Sequence, residues 1–216
     1  PPVTGITVAG LVPLALTTRS GFDESVHFGA AVGVGPDGTV AVAHGDPDLV
    51  IFPRSSNKPL QAQALLDLGW RPTAEQLALA CASHAGTPTH TAVVESSLAA
   101  AGLDVGDLAN TPTLPLDAAA TADVLRAGGG PTALLQNCSG KHAAMLATCV
   151  VNGWATVDYL APEHPVQQAI TVAYAALTGQ PGPEAVYVGV DGCGAPTHAT
   201  PLVGLARSYA TLATAG

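Results

Sequence analysis

Lysine is almost missing from this chain. Two occur in 216 residues, Lys58 and Lys141. A soluble domain ordinarily scatters lysine over its surface, so solubility does not explain these two. Arginine adds little: Lys and Arg together number 7 against 16 Asp and Glu, a formal net charge of −9. No basic stripe can neutralise phosphates, which argues against nucleic acid and anionic membrane surfaces as partners. Charged residues reach 11% and aromatics 4%, whereas hydrophobic residues reach 48%. That balance describes a folded, core-rich chain rather than a disordered one. Long apolar runs are also lacking: Gly, Pro, Asp or His interrupts each one well short of the ~20 residues a membrane-spanning helix needs. Pro1-Pro2-Val3-Thr4-Gly5 has no basic stretch of a secretory signal and no initiator Met. A cytoplasmic protein is expected, with a natural start upstream of Pro1.

Cysteine is sparse and widely spaced, at positions 81, 138, 149 and 193. With no secretory signal, the four read as thiols or ligands before they read as disulfides. Cys149, within an apolar stretch, is expected in the core.

What is present begins with strands. Residues 26–35 and 39–44 are apolar runs around Gly35-Pro36-Asp37-Gly38, and Asp-Gly between such runs signals a hairpin. From Ser56 to Leu68 the period becomes helical, with Leu60, Ala64, Leu65 and Leu68 on one face. Pro59 fits only a first turn, which puts the helix start at Ser55 or Ser56. Further helices are expected over 73–83, 89–101, 117–127, 142–153 and 163–178, with a short strand over 186–190. No repeat or low-complexity linker divides the chain, so one domain over 1–216 is expected. Strands first and helices after imply an α+β or mixed α/β fold: an antiparallel-rich sheet with flanking helices and a helical lobe.

Each lysine follows a reactive side chain by three residues: Ser55 precedes Lys58 and Cys138 precedes Lys141. On a helix, positions i and i+3 share a face. A serine hydroxyl is a weak nucleophile until a base takes its proton, and a neutral lysine amine can be that base. Burial or nearby positive charge, such as Arg54, would lower the lysine pKa. Ser56 faces away and reads as a helix cap. Cys81-Ala82-Ser83-His84 forms a second polar island, either a helix C-cap with Gly86 or a contributor to the same site. Cys138, Cys193, His142 and Asp191 offer donors suited to zinc, although no Cys-x-x-Cys occurs. The Gly-rich turns around them could equally aim backbone N–H groups at an oxyanion, or simply be tight turns. His27, His90 and His198 read as structural.

Six ordered motifs resemble those of the rhizobial-type L-asparaginase II family. They are Arg19-Ser20-Gly21 with Glu24-Ser25 and His27, Gly45-Asp46-Pro47, and Pro53-Arg54-Ser55-Ser56-Asn57-Lys58-Pro59. Cys81-Ala82-Ser83-His84, Asn137-Cys138-Ser139-Gly140-Lys141-His142 and Asp191-Gly192-Cys193-Gly194-Ala195-Pro196 complete the set. The resemblance implies a fold similar to serine β-lactamases and glutaminases, and hydrolysis of L-asparagine to L-aspartate and ammonia. It implies Ser55 as nucleophile, Lys58 as its base and Ser83 as a second active-site serine. Arg54, Asp191 and His84 are the expected substrate contacts. Cys138, Lys141 and Cys193 match the family's zinc site, with zinc modulating substrate binding rather than holding the fold. A homodimer is among the expected assemblies. Two other readings stay open: a β-lactamase-like hydrolase of another amide, and a zinc-stabilised binding module without turnover. The family also pairs the second serine with a lysine from its C-terminal part. No lysine follows Lys141 here, so a C-terminal segment is expected to be missing or Ser83 to lack that partner.

Overall fold

The computed structural model describes residues 8–214. It begins with two antiparallel hairpins. Strands β1 (Val12–Arg19) and β2 (Phe22–Gly29) pair through a tight turn at Ser20 and Gly21, both with positive φ (50° and 81°). Two positive-φ residues make the turn whose twist matches that of the strands, and glycine supplies one without strain. Strands β3 (Ala31–Val34) and β4 (Val40–His44) pair across the expected Gly35–Gly38 turn. The first hairpin stands clear of the core, with Leu14, Leu16, Phe22, Val26 and Phe28 exposed.

Two more antiparallel pairs join distant parts of the chain. Strand β5 (Val50–Ile51) pairs with β8 (Thr200–Pro201), and β6 (Val188–Val190) pairs with β7 (Pro196–His198). The expected antiparallel sheet is therefore four two-stranded ladders among the described residues. Proline explains part of this. Pro196 and Pro201 occupy strand positions but have no N–H to extend a ladder. Residues 26–29, expected to run on into β3, instead turn back onto β1.

Seven α-helices follow among the described residues: α1 (Lys58–Asp67), α2 (Ala74–Ala80), α3 (Pro88–Ala100), α4 (Ala118–Arg126), α5 (Ser139–Val151), α6 (Pro165–Thr178) and α7 (Leu202–Thr214). Their starts obey local rules. Thr73 and Gln76 form a reciprocal capping box on α2, Asp117 caps α4, and Pro59, Pro88 and Pro165 sit in first turns. Mixed helices and antiparallel strands make this an α+β fold. None of the helices among the described residues is long and apolar enough to cross a membrane.

Helix α5 is the hub. Every residue from Ser139 to Cys149 is buried, and α1, α2, α3 and α6 pack around it. A helix buried on all sides presents no polar face to solvent, and the run Ala143–Ala147 is accordingly apolar throughout. Gly140 lets α5 meet α2 closely: a Cβ there would lie 2.8 Å from Leu79 O. That contact sets the start of α5, with its Cys and Lys, beside the Cys81–Ser83 loop.

Candidate functional site

A 3-10 turn, Arg54–Asn57, leads into α1. It places Ser55 at the surface and turns Lys58 inward, where 2% of it is exposed. The Lys58 amine donates to Ala82 O at 2.5 Å, Ser83 Oγ at 3.1 Å and Asn137 O at 3.3 Å. Burial is the main influence on this amine and lowers its pKa from 10.5; Lys141 acts the same way, against the Cys138 thiolate. The turn is anchored from outside by Tyr209, whose hydroxyl donates to Ser56 O at 2.9 Å. Ser56 makes no capping hydrogen bond, so the helix-cap reading of that residue is corrected.

Ser83 completes the connection. Its hydroxyl lies 2.9 Å from Ser55 Oγ, so Lys58, Ser83 and Ser55 form a continuous hydrogen-bonded chain. Among the described residues, Lys58 makes no direct hydrogen bond to Ser55 despite the i, i+3 spacing. The lysine that Ser83 meets is Lys58, expected as the partner of Ser55, and not a lysine from a C-terminal segment. The C-cap alternative for this loop does not hold, because α2 is capped at Cys81 with ordinary right-handed backbone. Ser83 also borders a cleft of about 530 Å³ lined by Ala78, Leu79, Ala85, His90 and Val93.

His84, next along, is turned into the protein and 3% exposed. Gly86 N–H donates to its Nδ1 at 3.2 Å, so the proton sits on Nε2, which meets Ser139 Oγ at 2.9 Å. The Ser139 hydroxyl in turn donates a hydrogen bond to Leu134 O. Burial holds His84 neutral, with its pKa lowered to about 4. A substrate contact needs a free ring nitrogen, and here both are occupied. His84 instead fastens the Ser83 loop to the start of α5, a bond reinforced by His84 N–H to Asn137 O at 3.1 Å.

The second lysine motif lies alongside. Cys138 and Cys193 are buried in one small cluster with Ala195 and Leu160. The Lys141 amine donates to Cys193 Sγ at 3.4 Å. A hydrogen bond with Cys193, then the charges of Lys58 and Lys141, pull the Cys138 thiol down to about 5 against its burial. The same bond pushes Cys193 up, as does burial. The two lysine motifs thus share one electrostatic neighbourhood. His142 is buried with Nδ1 at 2.8 Å from Tyr159 Oη, and its Nε2 has no hydrogen-bond partner. Among the described residues no group of three or more His, Cys, Asp or Glu is arranged to hold a metal. Any metal here would rest on two thiols and an amine. Two thiols, one already ionised near neutral pH, and an adjacent amine are chemically suited to zinc. Cys149 lies elsewhere in the core, its thiol pushed up to about 11 by burial.

At the mouth, Arg54 meets Asp191 Oδ1 at 2.5 Å. Asp191 is held by Gly192 N–H at 2.8 Å, while the Arg54 side chain is largely exposed. Arg54 has φ 55°, a left-handed conformation that non-glycine residues seldom adopt. Such strain persists only where surrounding contacts fix the backbone, and it gathers at functional sites.

A family model of L-asparaginase II matches residues 15–216. The chain belongs to the L-asparaginase II family. Among curated proteins, none matches it. Membership supports an amidohydrolase acting on a small-molecule substrate, and the site described above lies wholly inside the matched span.

In this family member the fold brings Ser55, Lys58, Ser83, Cys138, Lys141 and Cys193 into one region, with Arg54 and Asp191 at its rim. Sequence reasoning missed Asn137, whose carbonyl is shared by Lys58 and His84, because backbone acceptors leave no trace in side-chain identity. It also missed Asn57 and Tyr174, paired at 2.8 Å across the core. Asn57 sits inside the Ser-Ser-Asn-Lys motif and could have been marked from that place alone.

Proposed function

We propose that this chain hydrolyses L-asparagine to L-aspartate and ammonia as a serine-dependent, rhizobial-type asparaginase with a β-lactamase/glutaminase-like fold. The observation that carries the mechanism is the Lys58–Ser83–Ser55 hydrogen-bonded chain in a member of the L-asparaginase II family. The rhizobial type and the β-lactamase-like fold rest on the six ordered sequence motifs.

Ser55 is the exposed end and acts as nucleophile. Its oxygen attacks the side-chain amide carbon while its proton passes to Ser83, and the Ser83 proton passes to neutral Lys58. Lys58 returns a proton through the same chain to the departing nitrogen, which leaves as ammonia. A β-aspartyl ester remains on Ser55. Water then attacks that ester, gives its proton to the chain, and releases aspartate with Ser55 restored. Burial of Lys58 favours its neutral form and so suits it to accept the proton.

The substrate carries a carboxylate and an ammonium on its α-carbon. Arg54 offers a fork for the first and Asp191 an anion for the second, so the pair seen at the mouth exchanges its mutual contact for two substrate contacts. Cys138, Cys193 and Lys141 would hold zinc, which supplies fixed positive charge beside the substrate when bound.

The test is ammonia release from L-asparagine, compared with L-glutamine and with opening of a β-lactam. Turnover of asparagine that disappears in Ser55→Ala supports the reading. Turnover confined to the β-lactam, or asparagine turnover that survives Ser55→Ala, overturns it.

A further inference from the structure

Asn57 stands between the two residues assigned to the reaction, yet its side chain points away from them into the protein. It is 1% exposed. Asparagine favours the position before a helix because its side chain caps free N–H groups. Asn57 holds that position on α1 but makes no capping hydrogen bond, and its backbone is already helical. Its amide is used elsewhere. Nδ2 donates to His198 O at 3.0 Å, and Oδ1 accepts from the Tyr174 hydroxyl at 2.8 Å.

Both partners are themselves fixed. Tyr174 is 1% exposed on α6, and its ring lies against that of His198 with centroids 5.0 Å apart. His198 Nε2 meets Thr171 Oγ1 at 2.9 Å, and the Thr171 hydroxyl is donated to Gln167 O at 2.9 Å. So α6 and β7 form a buried platform, and Asn57 is pinned to it at two points. Strand β7 starts three residues after Cys193, in the segment that also carries Asp191. An apolar side chain could fill this space without desolvating an amide. What the amide adds is direction: two hydrogen bonds fix both the position and the rotation of the turn. Three residues upstream, the strained φ of Arg54 requires such external control.

We infer that Asn57 is the positioning residue for the Ser55–Lys58 pair, with the Tyr174 hydroxyl and the His198 carbonyl as its two fixed points. This rests on the reading of Ser55 and Lys58 as the reacting pair. Loss of one fixed point lets the turn rotate, and Lys58 then no longer presents its amine squarely to Ser83. Misalignment of this kind lowers turnover more than binding.

The experiment uses Tyr174→Phe, which keeps the ring and removes one hydroxyl. Protein labelled with 13C-lysine gives signals from only two lysines, so Lys58 can be followed directly by NMR. The expected result is a fall in kcat on asparagine of roughly tenfold or more, with KM within about twofold. The Lys58 13Cε signal should shift or broaden. Val166→Ala, elsewhere on buried α6, serves as a stability-matched control and should leave both readouts unchanged. Adding Tyr174→Phe to Asn57→Ala should cost little more than Asn57→Ala alone, because Asn57→Ala already removes the bond that the Tyr174 hydroxyl makes. An unmoved Lys58 signal in Tyr174→Phe overturns the inference, as does Val166→Ala reproducing both effects at equal loss of Tm. Failure of the wild-type protein to hydrolyse asparagine sinks the asparaginase reading instead, and the Lys58 signal still decides the positioning role.

Discussion

Lys58 Nζ lies 3.1 Å from Ser83 Oγ, although the two residues are 25 apart in sequence. Ser83 then meets Ser55 at 2.9 Å. Lys58 N–H donates to Ser83, whose hydroxyl donates to Ser55. Once Lys58 is neutral the same contacts run in reverse, from Ser55 through Ser83 to the amine. In the proposed mechanism the second serine is therefore a proton carrier between Ser55 and Lys58, which make no direct hydrogen bond of their own.

From this arrangement, Ser55→Ala, Ser83→Ala and Lys58→Met should each lower kcat on asparagine by about 10³-fold or more, because the three act as one unit. Double variants should lose little beyond the singles. Ser56→Ala, outside the chain of contacts, should stay within about tenfold of wild type. Steady-state ammonia release measures all of these. Near-normal turnover by Ser83→Ala would return the site to a direct Ser55–Lys58 pair.

The proposed mechanism needs Lys58 neutral, and burial lowers its pKa. The kcat/KM should therefore rise with pH along a limb whose midpoint lies below the ordinary lysine value of 10.5. A profile with no such limb removes Lys58 as base. Stability carries the same sign. The unfolded chain holds this proton more tightly, so burying Lys58 subtracts stability at low pH and the penalty fades as pH rises through the folded pKa. Lys58→Met should raise Tm at pH 7 by more than at pH 10, while being inactive.

Three buried histidines predict acid sensitivity. His84, His142 and His198 are each lowered from 6.5 to about 4, in every case mainly by burial. A lowered folded pKa means that the unfolded state takes up protons first. Stability is then full above about 6.5 and is lost progressively as pH falls towards 4. Thermal melts across that window should show a falling Tm. His84→Gln should flatten the fall, since Gln supplies no titrating group. An unchanged slope in His84→Gln would show that its ring is not held neutral.

Zinc should depend on Cys138, Lys141 and Cys193. Cys138→Ala and Cys193→Ala should lose bound metal, whereas Cys149→Ala, with its thiol pushed up to about 11, should keep it. Affinity should weaken as pH falls, because both thiols must give up their protons to bind metal and Cys193, whose pKa is raised, holds its proton the more tightly. Metal content by mass spectrometry and calorimetric titration are the measurements. Loss of metal in Cys149→Ala alone would place the site elsewhere.

Gly140→Ala tests how the two motifs are brought together. Its added Cβ would press on Leu79 O at 2.8 Å, so α2 and α5 must separate. A loss of about 1–3 kcal/mol is expected, as for other overpacked contacts. Activity should fall with it, because the Ser83 loop and Cys138 sit on either side of that contact. Wild-type Tm and activity together would refute the close-packing account.

Much of the site could be read from the sequence because local rules wrote it. Pro59 marked a first helical turn, although α1 starts at Lys58 rather than at Ser55 or Ser56 because Arg54–Asn57 form a 3-10 turn before it, and the scarcity of lysine marked both amines. The Gly35–Gly38 hairpin and the helices were legible from turn chemistry and period. The Ser20-Gly21 turn carries a comparable signal in its two positive-φ residues, and it pairs residues 26–29 with β1 rather than running them into β3. What no local rule could supply was the aim of side chains across long separations. Lys58 passes over its own i−3 serine to reach Ser83, because its amine is drawn to Ala82 O, Ser83 Oγ and Asn137 O gathered at the α2–α5 contact. His84, next to Ser83 in sequence, turns inward because Gly86 and Ser139 satisfy both its nitrogens. The pKa of Lys58 is lowered by burial and that of Cys138 by its hydrogen bond with Cys193, and both causes exist only after packing. The sequence determined which residues could react; the tertiary structure decided which of them meet, since burial and long-range hydrogen bonds are set by how helices pack and not by the order of residues within them.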